Sequence, residues 1–137
     1  NILKKFPDIE LVAAQTGKWY RNEAMAVMEN WLQADLEISG VVAQNDEMAI
    51  GALKAIEDAG LLGTIVVAGI DATPEALKYV REGKLNITVF QDAKGQGRTA
   101  IEVAAEVVRG KQVEKEMLIP FELVTSETAD SYEQRYR

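Results

Sequence analysis

Neither cysteine nor histidine occurs among the 137 residues of the chain. That removes thiol nucleophiles, zinc-thiolate sites and imidazole bases, and leaves only carboxylate-bound ions such as calcium or magnesium as metal candidates. No cofactor and no catalysis are expected. Basic residues are scarce relative to acidic ones, 15 against 22, and the resulting charge of −7 opposes a phosphate backbone. No basic block stands ready for lipid headgroups. Nucleic acid and membrane surfaces are therefore not expected as direct ligands. A signal-peptide pattern and an apolar run of transmembrane length are also missing. The opening "NILKKFPDIELVAAQ" reads as the middle of a longer protein.

What is present suits a folded domain. The hydrophobic share of 47% supplies a core, and the charged share of 27% is close to that of globular chains, so disorder is not expected. The length fits one core rather than two. Apolar runs rich in valine and isoleucine, at 9–14, 40–44, 64–70, 86–90 and 118–124, predict strands. Between them the apolar residues repeat at helical spacing: Ala24, Met25, Met28, Trp31 and Leu32; then Met48, Ala49, Ala52, Leu53 and Ile56; then Ala76, Leu77 and Val80. Each set predicts an amphipathic helix packed on a sheet. Gly60, Gly83 and Gly110 follow helical runs, where a left-handed terminating residue favours glycine, and "TPEAL" sets Pro74 at a first helical position behind Thr73 as N-cap. Strand and helix in alternation imply right-handed crossovers and a doubly wound, mainly parallel α/β fold with flanking helices.

In such a sheet the loops at the carboxyl ends of the strands share one edge, and ligands bind there. The strands end "VVAQN", "VVAGID" and "ITVFQ", which puts Asn45, Asp71 and Gln91 on that edge; "LVAAQTGKW" adds Gln15 and then Trp19. An amide offers a donor and an acceptor, and an ionised carboxylate accepts twice, so the set matches neighbouring hydroxyls. Trp19 offers a flat face for the C–H side of a ring. This equipment suits binding of a neutral polyhydroxylated ligand, not turnover. Plainer roles compete. Asp46 reads as the N-cap of a helix beginning at Glu47, Asn45 as a residue that turns the chain, and Asp71 as a cap for the helix at 74–82, where Thr73 is better placed. Trp31 reads as core, and Glu102 with Glu106 as a solvated helix face.

The strings "VVAQNDEMAIGALKAIEDAG", "VVAGIDATPEALKYVREGKLNITVFQD" and "GQGRTAIEVAAEVVRGKQV" resemble the carboxyl-terminal part of periplasmic sugar-binding proteins of the ribose-binding type, the solute receptors of ABC importers. The resemblance covers essentially the whole chain. It implies one lobe, residues 1–137, of a two-lobed protein that traps a monosaccharide, cyclitol or polyol in the cleft between lobes. It further implies that Asn45, Asp71 and Gln91 are sugar contacts, that Trp19 stacks on the ring, and that the remaining contacts belong to a missing amino-terminal lobe. By the same resemblance, residues from about 92 to 124 cross to that lobe, so the helix with Ala100, Ile101, Val103, Ala104, Val107 and Val108 lacks its usual sheet here. An isolated chain is then expected to exchange this helix with a second copy as a swapped homodimer, hinged at Gly95 and Gly97. The implied location is periplasmic, or extracellular and membrane-tethered, with an ABC permease as partner. The tail "SETADSYEQRYR" is too polar for a buried strand and reads as a short helix or a frayed end. Two rivals share the fold class. One is the effector-binding half of a LacI-type repressor, which a DNA-binding headpiece upstream would reveal. The other is a small flavodoxin-shaped enzyme, opposed by the lack of a glycine-rich phosphate loop after the first strand.

Overall fold

Parallel pairing of short valine-rich strands organises the chain. A computed structural model describes residues 2–136, with helices α1 (Arg21–Gln33), α2 (Asp46–Asp58), α3 (Pro74–Arg81), α4 (Ala93–Val108) and α5 (Ala129–Glu133) and strands β1 (Gly40–Val42), β2 (Val66–Ala68), β3 (Thr88–Phe90) and β4 (Glu122–Val124). Single 3-10 turns occupy Ile2–Lys5 and Gln134–Tyr136. β1 pairs in parallel with β2 in the register Val41 to Val67. Parallel bridges from Ala68 to Ile87 and from Asp71 to Phe90 carry the sheet on to β3, and β4 closes it antiparallel, Val89 opposite Leu123. The mainly parallel α/β class follows the sequence pattern. No helix among the described residues is long and apolar enough to cross a membrane.

Helices α2 and α3 cover the sheet face that carries Val67, Thr88, Phe90 and Val124, all buried. The predicted stripe of α2 is buried throughout, together with Ile50 and Ala55, because α1 packs on its far side. The approach is close: a Cβ on Gly51 would lie 2.1 Å from the carbonyl oxygen of Arg21 and 3.1 Å from the amide nitrogen of Met25. Thr73 caps α3 as expected, accepting from the Ala76 N–H at 3.3 Å with Pro74 next. Gly60, Gly83 and Gly110 adopt φ values of 73°, 70° and 76° one residue past their helix caps. The polar tail forms α5, with Ala129 and Tyr132 buried and Arg81 reaching Asp130 and Glu133 at 3.3 and 2.5 Å.

Other expectations change. The run at 9–14 has no regular secondary structure and joins no ladder among the described residues. A cavity of about 490 Å³ opens between it and β1, with Ile9, Leu11 and Ala13 on one wall, Val41 and Val42 on the other, and Met28 and Trp31 at its side. Ladder hydrogen bonds make a strand, and none joins this run to β1 among the described residues. Of the run at 118–124 only Glu122–Val124 is strand, and Leu118 stands 86% exposed. Trp31 is half-buried, packed against the core rather than inside it. The second sheet face is bare, with Val42, Val66 and Leu123 exposed. Helix α4 has no buried residue, and Ile101 and Val108 are 73% and 88% exposed, so the chain leaves the sheet at Asp92, runs out and returns at Glu122 without folding the stripe back onto itself.

The contact at Gly51 generates a prediction that opposes intrinsic propensity. Alanine is the better helix former by about 1 kcal/mol, yet Gly51→Ala should destabilise the protein by about 1–3 kcal/mol because its methyl enters the backbone of α1. Urea unfolding checks this; an unchanged or raised midpoint would mean that α1 shifts aside at no cost.

Candidate functional site

The loops after β1, β2 and β3 meet at the carboxyl edge of the sheet, and the backbone decides which side chain does what. Asn45 has an extended backbone, φ −151° and ψ 167°, and is the N-cap of α2: its Oδ1 accepts from the Met48 N–H at 2.9 Å. Asp46 is therefore not the cap. It is the first residue inside the helix, and its side chain turns inward. The Asn45 Nδ2 donates to the Trp19 carbonyl at 3.3 Å, which leaves the amide one N–H and one carbonyl lone pair for another partner. Trp19 lies in a tight turn in which Lys18 and Trp19 have φ values of 50° and 70°. Gly17 at its base is buried, and a Cβ there would meet the Met48 sulfur at 2.8 Å. The turn holds the indole out in solvent, 64% exposed, so Trp19 is no core residue.

Asp71 ends the β2 loop with its N–H bonded to the Val89 carbonyl at 2.8 Å. Its carboxylate accepts from the Gln91 amide at 2.7 Å and from the backbone N–H of Asp46. Partial burial pushes the Asp71 carboxyl above its ordinary value, and the Gln91 bond pulls against that rise. Trp19, Asn45, Asp71 and Gln91 are thus brought to one edge by a chain of hydrogen bonds, Trp19 to Asn45 and Asp71 to Gln91, joined through the Asn45–Asp46 peptide. Gln15, the fifth polar residue expected near this edge, is exposed and lines the apolar cavity beside β1. That cavity includes Trp19 but not Asn45, Asp71 or Gln91. It is a packing gap at the flank of the sheet, and the polar edge itself is open.

Two features escape a reading of the sequence. Asp46 is wholly buried; its Oδ1 accepts from the Thr88 hydroxyl at 2.7 Å and its Oδ2 from the Thr73 N–H at 2.7 Å. The signals that mark it are Gly69, whose Cβ would sit 2.4 Å from Asp46 Oδ1, and Thr88, a polar residue in the apolar string "NITVF". The second feature is Arg21, whose guanidinium forks to Glu47 at 2.9 and 3.0 Å and to Glu75 at 2.7 and 3.0 Å. The pair of carboxylates favours the charged arginine, and Arg21 holds Glu75 below the usual carboxylate range. Each bond is solvent-accessible and adds little stability alone, but together they tie the first turns of α1, α2 and α3 side by side.

Residues 1–112 match the periplasmic binding protein domain family. A protein of Rhizobium meliloti named for rhizopine binding is 48% identical over 118 residues, 85% of this chain and 38% of the relative. The ribose import binding protein of Bacillus subtilis is 38% identical over 117 residues, again 85% of this chain and 38% of the relative. Among solved structures, an ABC transporter solute-binding protein of Bacillus halodurans with bound myo-inositol superposes with a TM-score of 0.91 at 51% identity, covering 98% of this chain and 47% of that one. A periplasmic solute-binding protein of Actinobacillus succinogenes with bound D-allose gives 0.88 at 37% identity, covering 94% and 46%. The chain therefore spans less than half the length of each.

Burial of Asp46 has a measurable consequence. Loss of hydration pushes its carboxyl up to about 6, against the pull of the Thr88 and Thr73 bonds and with added repulsion from Asp71. Between the unfolded value near 4 and about 6 the native state holds more protons than the unfolded one. Stability from this group is thus fully present below about pH 4 and is lost as pH rises through 6, by about 3 kcal/mol. Asp71, raised too, acts in the same direction, whereas Glu75 and Glu122 are lowered and act oppositely. The difference between wild type and Asp46→Asn isolates the residue: wild type should lose about 3 kcal/mol relative to the variant between pH 4 and pH 7. Urea unfolding across that range measures it, and a constant difference would refute the assignment.

Proposed function

Because the chain belongs to the periplasmic binding protein domain family, we propose that it is the carboxyl-terminal, ligand-binding lobe of a receptor for a monosaccharide, cyclitol or polyol, which delivers its ligand to an ABC permease. The observation that carries this reading is the convergence of the Asn45 amide, the Asp71 carboxylate and the Gln91 amide on one open edge beside an exposed Trp19. Hydroxyls donate and accept at once, and this edge retains both kinds of capacity. The indole takes the apolar face of the ligand, and the amides and carboxylate take its hydroxyl rim. The ligands bound in the structural neighbours, myo-inositol and D-allose, are neutral and rich in hydroxyls, which supports this chemistry.

The mechanism is closure of two lobes on the ligand: contacts made only in the closed form shift the population, and the permease reads that form. No bond in the ligand changes. The other lobe supplies the remaining contacts and takes up the excursion from about 92 to 124, whose helix has no buried side chain of its own. In the isolated chain the same stripe is covered by exchange with a second copy, but the expected hinge at Gly95 and Gly97 is corrected, because both lie inside the first turns of α4, which Asp92 caps. The receptor works in the periplasm or, membrane-tethered, at the outer surface. The transport names of the relatives support this reading over a LacI-type repressor.

Calorimetric titration of the full-length protein with myo-inositol, D-allose and ribose tests the proposal, and a protein that binds no such compound would reject it. With the best of these ligands, Asp71→Ala should weaken binding by about 2 kcal/mol or more, since charge-assisted hydrogen bonds are lost, and Asp71→Asn by less. Trp19→Ala should cost about 1–3 kcal/mol of affinity with little change in melting temperature, because the ring has few core contacts to lose. A large drop in melting temperature with unchanged affinity would return Trp19 to a structural role.

A further inference from the structure

We propose that Asp46 and Thr88 are positioning residues that set the ligand affinity of this site by locking the strained turn that presents Asp71. This rests on the sugar-site reading above and goes beyond it. Asp71 and Ala72 have φ values of 121° and 55°, a region that side chains other than glycine enter only at a cost, so the surrounding structure must hold them there. The bonds that hold them are specific. The Ala72 N–H donates to the Thr88 hydroxyl oxygen at 3.2 Å, the Thr88 hydroxyl donates to Asp46 Oδ1 at 2.7 Å, and the Thr73 N–H donates to Asp46 Oδ2 at 2.7 Å. Asp46 returns a bond through its own backbone N–H to the Asp71 carboxylate.

Asp46 and Thr88 have no exposed surface, so water does not compete for these bonds and the turn has no solvated alternative partner. Gly69 makes the arrangement sterically possible, since any side chain there would overlap Asp46 Oδ1 at 2.4 Å. The strained turn aims the Asp71 carboxylate along the edge, where it meets Gln91 at 2.7 Å. If the turn relaxes to negative φ, that carboxylate swings out of register with Asn45 and Gln91. The ligand must then restore the geometry at its own expense, and affinity falls although no group that contacts the ligand has been removed.

The experiment uses the full-length protein, titrated calorimetrically with myo-inositol, D-allose and ribose, and the variants Thr88→Val, Thr88→Ser and Asp46→Asn. Thr88→Val keeps the shape and removes the hydroxyl; it should weaken binding roughly tenfold or more and abolish hydrogen-exchange protection of the Ala72 amide while the protein unfolds cooperatively. Thr88→Ser should restore both. Asp46→Asn keeps a carbonyl oxygen for the Thr73 N–H and turns its NH2 to the Thr88 hydroxyl, which must then accept from the amide in competition with the Ala72 N–H; it should loosen the Ala72 amide and provides the same test if the valine variant does not fold. A folded Thr88→Val or Asp46→Asn protein that loses amide protection yet binds as tightly as wild type overturns the proposal. So does a weakening that serine does not rescue, which would trace to packing. A wild type that binds none of the three sugars overturns the sugar-site reading and this proposal with it, whereas binding by wild type and variants alike overturns this proposal alone.

Discussion

A carboxylate sealed from water joins the three loops at the carboxyl edge of the sheet. Asp46 sits in the first turn of α2, reaches β3 through Thr88 and takes the Thr73 N–H at the start of α3. Burying a carboxylate is expensive unless each of its oxygens finds a donor, and here each oxygen has one. Its place at a helix N-terminus offers further compensation, but the residual cost shows in its raised pKa. Hydrophobic packing of α2 on β1 and β2 fixes where the helix lies. It cannot fix the direction of a peptide group in the loop after β2, because packing has no orientation at that scale. Hydrogen bonds to a buried acceptor do have orientation, and their cost is accepted where the strained backbone of Asp71 and Ala72 must be held.

The elements legible in the sequence are those determined by neighbours along the chain. Helical spacing located α1, α2 and α3, Thr73 with Pro74 set the start of α3, and the glycines at 60, 83 and 110 ended helices with the expected positive φ. Because the ends of parallel strands share an edge, the positions of Asn45, Asp71 and Gln91 were legible as well. Asn45 and Asp46 exchanged roles because asparagine and aspartate cap helices about equally well. What separates them is burial against Thr88, a residue 42 positions away that no local pattern reports. The run at 9–14 has the composition of a strand, but a strand exists only with a partner at pairing distance. Composition also hid the docking of the tail: Arg135 lies 5.0 Å from the centre of the Phe90 ring and 4.6 Å from that of Tyr132, with its charge met by Glu122 at 2.7 Å. Polar residues can thus build an ordered contact over an aromatic face.

The molecule separates two kinds of surface. Uncovered apolar groups lie at the flank of β1, on the second face of the sheet at Val42, Val66 and Leu123, and along α4 at Ile101, Val107 and Val108. Contiguous apolar surface of this kind is a mark of contact with other protein, and each larger side chain left in water forfeits about 1.5–3 kcal/mol. The carboxyl edge is different. Apart from Trp19 it is built from amides, carboxylates and the Arg21 cluster, all of which water solvates well.

On the proposed reading as one lobe of a two-lobed receptor, that division bears on how such a protein can both hold together and open. Apolar contacts gain free energy whether or not ligand is present, so an apolar lining across the cleft would favour the closed form without cargo. A ligand shifts an equilibrium only by its differential affinity for the two forms, and a lining that closes unaided would leave it little to shift. Amides and carboxylates behave oppositely. Facing each other in an empty cleft they exchange water for imperfect partners and gain little, whereas a ring of hydroxyls satisfies them together. On the proposed two-lobed reading, apolar contacts on the flank, the sheet face and α4 with a polar edge between the lobes would make closure depend on the ligand. On the same proposed reading, the strained turn at Asp71 would serve the same end, because polar groups oriented before a ligand arrives divert little of its binding energy to arranging them.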